Sequence, residues 1–317
     1  MMKSMRIAKQ VLVLVISLLI EALCASECCP LPGKVTPFVE GLYWYTSETS
    51  DWAFTLAQKG SDLKTEYRSF HFDWSPGLRV GLKYSIKDSK FDTQMWYTHF
   101  ESKASERVAG SVTPGFLAAR LSLLEPFSFG KATLNVCYNI IDWDLGFNLC
   151  MNRHFQFRPA IGLKGGWIDQ KIRSDWERLL FENLITASEN LTQNFNGIGP
   201  KGGLGVTWSI GNCGFSLIGL FDVSYLWGNW QIQDRYIDNL DTVISVKTSP
   251  RKYGALMLHS FLGAEWEVSF WCIDVTLRLG YEFENWFNQL QIFTDVSGSQ
   301  NNNLVLQGVT FRLACPF

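Results

Sequence analysis

Apolar and polar residues alternate along most of this chain. Leu78, Val80, Leu82, Tyr84 and Ile86 are separated by Arg79, Gly81, Lys83 and Ser85. Ile141, Trp143, Leu145, Phe147 and Leu149 interleave with Asp142, Asp144, Gly146 and Asn148. Phe155, Phe157, Pro159, Ile161 and Leu163 oppose Gln156, Arg158, Ala160, Gly162 and Lys164. Ile273, Val275, Leu277, Leu279, Tyr281 and Phe283 do the same against Asp274, Thr276, Arg278, Gly280 and Glu282. A period of two gives strands with one apolar and one polar face. About ten are predicted, near 36–47, 66–86, 91–104, 131–151, 153–172, 195–210, 214–232, 246–268, 271–293 and 303–317. Trp52–Ala57 and 105–130 are where a further hairpin would fit, giving twelve or fourteen. One segment breaks the period: Ser174-Asp175-Trp176-Glu177 reads as a capping box, with Trp176, Leu180, Leu184 and Ala187 at helical spacing. It predicts a short helix in an external loop.

A secreted sandwich alternates in this way, and so does a barrel in lipid. Three features favour an all-β, transmembrane, antiparallel up-and-down barrel. Tight turns at Lys87–Lys90, Asn152–His154, Gly211–Gly214 and Val268–Phe270 alternate with long polar connections, as periplasmic turns alternate with external loops. Phe91, Phe155, Trp208, Phe215, Trp266 and Trp271 bracket those turns, where an interfacial aromatic girdle belongs. Val309, Phe311, Leu313 and Cys315 lead at alternate positions to Phe317, so the final strand resembles an assembly signal read by the barrel-assembly machinery.

Composition agrees. Apolar residues make up 47%, aromatic 15% and charged only 18%, with a net charge of −2. That excludes disorder and argues against a nucleic-acid partner. Lys3, Arg6 and Lys9 precede an apolar run from Val11 to Ile20, followed by Ala22, Ala25 and Ser26. This predicts a signal peptide over 1–25, cleaved within 22–26, because the run is too short to span a membrane as a helix. A cysteine-containing leader, 26–35, and the barrel, 36–317, follow.

On this topology the polar face carries Arg79, Lys83, Asp142, Asp144, Arg158, Lys164, Asp222, Glu265, Asp274, Arg278, Glu282 and Arg312. Both signs are present, so a lumen lined by them would select weakly between anions and cations. Ten strands fall between barrels filled by side chains and those with open channels. The charges thus fit a narrow pore or a salt-bridged interior. Six cysteines fall at the periplasmic rim: Cys28, Cys29, Cys150, Cys213, Cys272 and Cys315. Cys137 stands apart from them. In an oxidising space they are disulfide candidates, within the chain or to other envelope proteins or a second copy. Small buried apolar residues are the alternative, and the spacing suits zinc poorly. His71 and Asp73 share a strand face and could activate water, but no second acidic pair accompanies them. No catalytic residue, cofactor or metal is expected.

Several stretches resemble the major outer-membrane protein family of Legionella and of chlamydiae and their environmental relatives. They are NIIDWDLGFNLCMNRHFQFRPAIGLKGGWIDQ (Asn139–Gln170), FNGIGPKGGLGVTW (Phe195–Trp208), FSLIGLFDVSYLWGNW (Phe215–Trp230) and GYEFENWFNQ (Gly280–Gln289). PFVEGLYWYTSE (Pro37–Glu48) and FHFDWSPGLRVGLKY (Phe70–Tyr84) belong with them. The resemblance implies a porin-like outer-membrane barrel in a disulfide-rich envelope, and it brings no catalytic residues. The expectation is a diffusion channel for small solutes that is also a disulfide-linked envelope component. The alternative is a non-conducting structural or adhesive barrel whose external loops bind other surfaces.

Overall fold

A computed structural model describes residues 33–59, 62–118, 126–152, 154–180, 183–211, 214–248, 251–270, 273–294 and 298–317. The expected signal peptide, Cys28, Cys29, Cys213, Trp271 and Cys272 lie outside them. The strands are β1 (Gly33–Ser47), β2 (Asp51–Lys59), β3 (Asp62–Ser69), β4 (Ser75–Ile86), β5 (Phe91–Pro114), β6 (Phe127–Phe147) and β7 (Leu149–Cys150). They continue with β8 (Phe155–Leu180), β9 (Asn183–Ile210), β10 (Phe215–Asp238), β11 (Val243–Lys247), β12 (Arg251–Phe270), β13 (Ile273–Thr294) and β14 (Gly298–Ala314).

Ten of these close into an antiparallel ring, β1-β4-β5-β6-β8-β9-β10-β12-β13-β14, because β1 pairs with both β4 and β14. The expected all-β barrel is therefore the observed one. The other four are accessory: β2 and β3 form a hairpin leaning on β5, β7 pairs β8, and β11 pairs β10. The hairpin at Asp51–Ser69 occupies one of the two places left for it. Two backbone hydrogen bonds between Val35 and Phe317, of 3.0 and 2.7 Å, extend the closing seam to the last residue.

The loop helix is a correction. Ser174 to Leu180 continue β8, and Asn183 to Ala187 begin β9, with Trp176 opposite Ala187 and Leu179 opposite Leu184. A hairpin tip between Leu180 and Asn183 brings together the same residues that helical spacing would. Val268–Phe270, expected as a tight turn, instead continue β12 and pair with Ile273–Val275 of β13.

The outer surface changes character along each strand. On β8 the outward series Phe155, Phe157, Pro159, Ile161, Leu163 and Trp167 gives way to Asp169, Lys171 and Arg173. On β10, Phe215 to Trp227 gives way to Asn229, Gln231, Gln233 and Arg235. Some 13 residues at ~3.3 Å rise and ~45° tilt cover about 30 Å, the thickness of a hydrocarbon core. Aromatic pairs mark both edges: Phe91–Phe147 and Phe155–Trp208 at the turn end, Tyr97–Trp167 and Tyr225–Trp227 at the other. With 26 and 28 residues, β8 and β9 run far beyond this belt on the loop side.

Deleting Phe317 removes both terminal seam bonds. The fraction of refolded protein that migrates faster unboiled than boiled should fall, and an unchanged fraction would deny the terminus a part in closure.

Candidate functional site in the barrel lumen

The lumen has two unlike halves. Behind the tight turns lies a cavity of about 610 Å³, bordered at its mouth by Ser209, Gly211 and Gly214. Its charged groups come from β1, β4, β6, β8, β9, β10, β12, β13 and β14, and Ile218, Leu220 and Phe261 form an apolar wall among them. Gly203 and Gly205 face inward and help keep the space open. A Cβ on Gly203 would sit 2.8 Å from that of Asp222.

Arg79 is the hub of the charged groups. Its guanidinium lies 2.6 Å from Glu40, 2.8 Å from Glu282 and 3.6 Å from Glu284, and its Nε donates to Thr98 at 2.8 Å. Glu40 also pairs with Arg312, Thr310 donates to Glu282, and Tyr138 donates to Glu284. Asp142 is held between Lys164 at 3.0 Å and Lys201 at 3.1 Å. Arg158 pairs with Asp144 at 2.6 Å and with Asp92, which Lys83 reaches at 3.4 Å. Lys201 also lies over the Trp96 ring at 4.1 Å. His259 has Asp222 at 2.6 Å from Nδ1 and Glu282 at 2.9 Å from Nε2. The ring thus bridges the two carboxylates. His259, Glu282 and Glu284 bring ligand atoms within 4.8 Å of one another, but Arg79 already supplies the cation there.

All twelve expected lumen residues lie on the inward face. Eleven of them border the cavity, with Glu265 and Arg278 paired at 2.6 Å near its mouth. Asp274 sits lower, exposed on the rim and accepting from Ser269 at 2.7 Å. Sequence reasoning missed Glu40, Asp92, Lys201, His259 and Glu284, each of which the same alternation places inward. Of the disulfide candidates described, Cys150 is exposed on β7 and Cys315 is buried beside Pro37, both at the turn end. Cys137 faces outward above the belt, where burial pushes its thiol up to about 11. His71, expected to share a strand face with Asp73, pairs with Glu106 at 3.1 Å.

The far half of the lumen is solid. Trp44, Phe100, Tyr138, Ile168, Phe195, Leu226, Met257, Trp286 and Leu304 are all fully buried across it. Above them Gln193 donates to Gln170, which donates to Glu48 at 2.6 Å. Burial pushes the Glu48 carboxyl up to about 8. Higher still, Phe116, Leu117 and Ala118, from the β5–β6 connection, fold into the mouth. The Ala118 N–H donates to Glu189 at 3.3 Å. Burial, then the neighbouring Asp234, holds the Glu189 carboxyl well above the usual range.

A family model described as the Legionella pneumophila major outer membrane protein precursor matches residues 36–316. The chain belongs to this family. No curated protein sequence matches it. Among solved structures it is similar to the outer membrane protease OmpT of Escherichia coli, at 10% identity, covering 92% of this chain and 98% of that one, with a TM-score of 0.45. It is also similar to the Ralstonia pickettii toluene transporter TbuX (10% identity, 91% and 90% covered, TM-score 0.38). A third likeness is to OprG from Pseudomonas aeruginosa (10%, 89% and 95%, 0.26). Within this family the chain is an outer-membrane β-barrel.

Arg79→Met takes the shared cation from three buried carboxylates, and stability to urea in micelles should fall by about 3–5 kcal/mol. A loss below about 1 kcal/mol would mean that the hub is not holding the wall. For Glu48 the sign follows from its raised value. The folded barrel keeps a proton that the unfolded chain gives up, so stability is full below about 4.5 and is lost as pH rises to about 8. The Glu48 share of the slope is roughly 1 kcal/mol per pH unit, and Glu48→Gln should remove that share while leaving the one from Glu189.

Proposed function

We propose that this protein is a closed structural barrel of the outer membrane, with a charged vestibule open on the periplasmic side and thiols at the periplasmic rim that link it to the envelope. The observation that carries the reading is the aromatic layer of Trp44, Phe100, Tyr138, Phe195 and Trp286, buried from wall to wall above the cavity. Water and ions would have to cross a dry, close-packed stratum there, which is costly for any charge. The proposal includes no enzymatic step, and His71 has Glu106 rather than Asp73 as its partner. Export by a cleaved signal peptide belongs to the same proposal.

A second reading, a gated diffusion channel, has its own support in the vestibule. Its paired charges of both signs would pass small solutes of either sign once the layer above moved.

Purified, refolded protein in planar bilayers separates the two. The closed barrel should give no single-channel steps, and Trp286→Ala with Phe195→Ala should introduce them. Steps in the unaltered protein would favour the channel. In that case Arg79→Glu with Lys83→Glu should shift the reversal potential towards cations. The envelope link is tested on non-reducing gels, where high-mass species should collapse on reduction and diminish in Cys28→Ser/Cys29→Ser. A ladder unchanged in that variant would remove these two cysteines from the link.

A further inference from the structure

Above the lipid belt the outward face is not uniform. On β9, β10 and β14 the positions just beyond the belt are uncharged, among them Asn194, Asn196, Asn229, Gln231 and Gln307. On β5, β6 and β8 they are charged: an acidic row, Glu101 and Asp169 on either side of Cys137, comes first, three mainly basic rows follow, and Glu177 stands beyond them beside Phe129. The strand register groups them in transverse rows. Lys103 and Lys171 flank Asn135, and Arg173 lies in the next row beside Thr133. In the row beyond, Arg107 stands directly opposite Lys131, with Asp175 on the far side. These three rows hold five cations and one carboxylate, whose recorded partner is Arg173 at 3.5 Å. Like charges placed directly opposite each other on neighbouring strands are destabilising, so Arg107 and Lys131 favour an anion between them.

The height of the rows limits what that anion is. Lys171 is four residues and Asp175 eight residues beyond Trp167 on the same strand face. At ~3.3 Å rise and ~45° tilt the patch stands about 9–19 Å above the aromatic ring. An ordinary phospholipid headgroup layer is only about 5–7 Å thick and would not reach most of it. A saccharide headgroup carrying phosphates would, and it would lie beside the wall at the right level. Clusters of four or more Lys and Arg next to a membrane surface attract anionic lipids, and Arg matches phosphate geometry with paired N–H groups.

We propose that the outward faces of β5, β6 and β8 form a docking surface for the phosphorylated saccharide headgroup of an outer-leaflet glycolipid, held by Lys103, Arg107, Lys131, Lys171 and Arg173. The barrel therefore carries an oriented lipid on one sector of its wall, while β9, β10 and β14 present uncharged side chains just beyond the belt.

The full chain, refolded into lipid nanodiscs, tests this with lipid A, a diphosphorylated glucosamine-disaccharide lipid, as probe and native mass spectrometry as readout. Wild type should retain the lipid, and Lys103→Gln/Lys171→Gln/Arg173→Gln should lower retention at least tenfold while keeping the folded gel mobility. Enzymatically dephosphorylated lipid should be retained as weakly as in that variant, and 0.5 M salt should weaken wild-type binding because the patch is exposed. Lys252→Gln and Arg235→Gln, on other strands, should change nothing. Equal loss in those controls would show unspecific attraction, and full retention in the triple variant would show another site. Displacement of the lipid by millimolar inorganic phosphate would show a simple anion site. Each of these three results overturns the proposal.

Discussion

Everything in this molecule depends on β1 finding β14. In hydrocarbon an unpaired strand edge has no water to turn to, so ten strands persist there only as a ring without an edge. The ring closes through the longest-range pairing the chain has, residues near 38 against residues near 314. Closure then dictates the rest. It sends one side of every strand to lipid and the other to a narrow lumen, and it forces ionisable groups from all ten ring strands into one enclosed space. They survive there because almost every carboxylate has a guanidinium, an ammonium or the His259 ring within reach.

The lumen therefore serves two purposes along one axis. At the tight-turn end, glycines and paired charges leave room. Towards the outside, large rings leave none. The transition occurs at the level of Arg79, whose guanidinium bonds Glu282 below and packs 5.5 Å from the Trp44 ring above. One end of the lumen is hollow and charged, and the other is filled by large side chains.

Much of this was legible in the sequence, and what was missed has one physical cause. Alternation says which face a residue occupies, and it placed all twelve lumen charges on the correct side. It does not say what that face meets. On β8 the apolar phase is odd from Phe155 to Trp167 and even from Ile168 to Trp176, although the backbone never changes face. The switch marks the point where the outside stops being lipid and the inside stops being wet. Read as a break in strand periodicity, it suggested a helix around Trp176. Read as a change of environment, it would have given both the membrane boundary and the apolar half of the lumen. His259 and Lys201 were passed over because a lone His and a Lys among glycines look ordinary until the barrel brings Asp222 and Asp142 beside them.

The unbroken pairing of β8 with β9 has a mechanical consequence. From Leu179 opposite Leu184 at the tip to Phe155 opposite Trp208 at the other rim, the register continues without a bulge. Twin strands of this kind behave as a stiff lever anchored in the bilayer, with its free arm in the surroundings. Lys164 and Lys201, which grip Asp142 from either strand, sit near the fulcrum. The ladder that holds the tip is therefore the same one that sets the spacing of these two lysines, with no irregular residue between them to absorb a change in length.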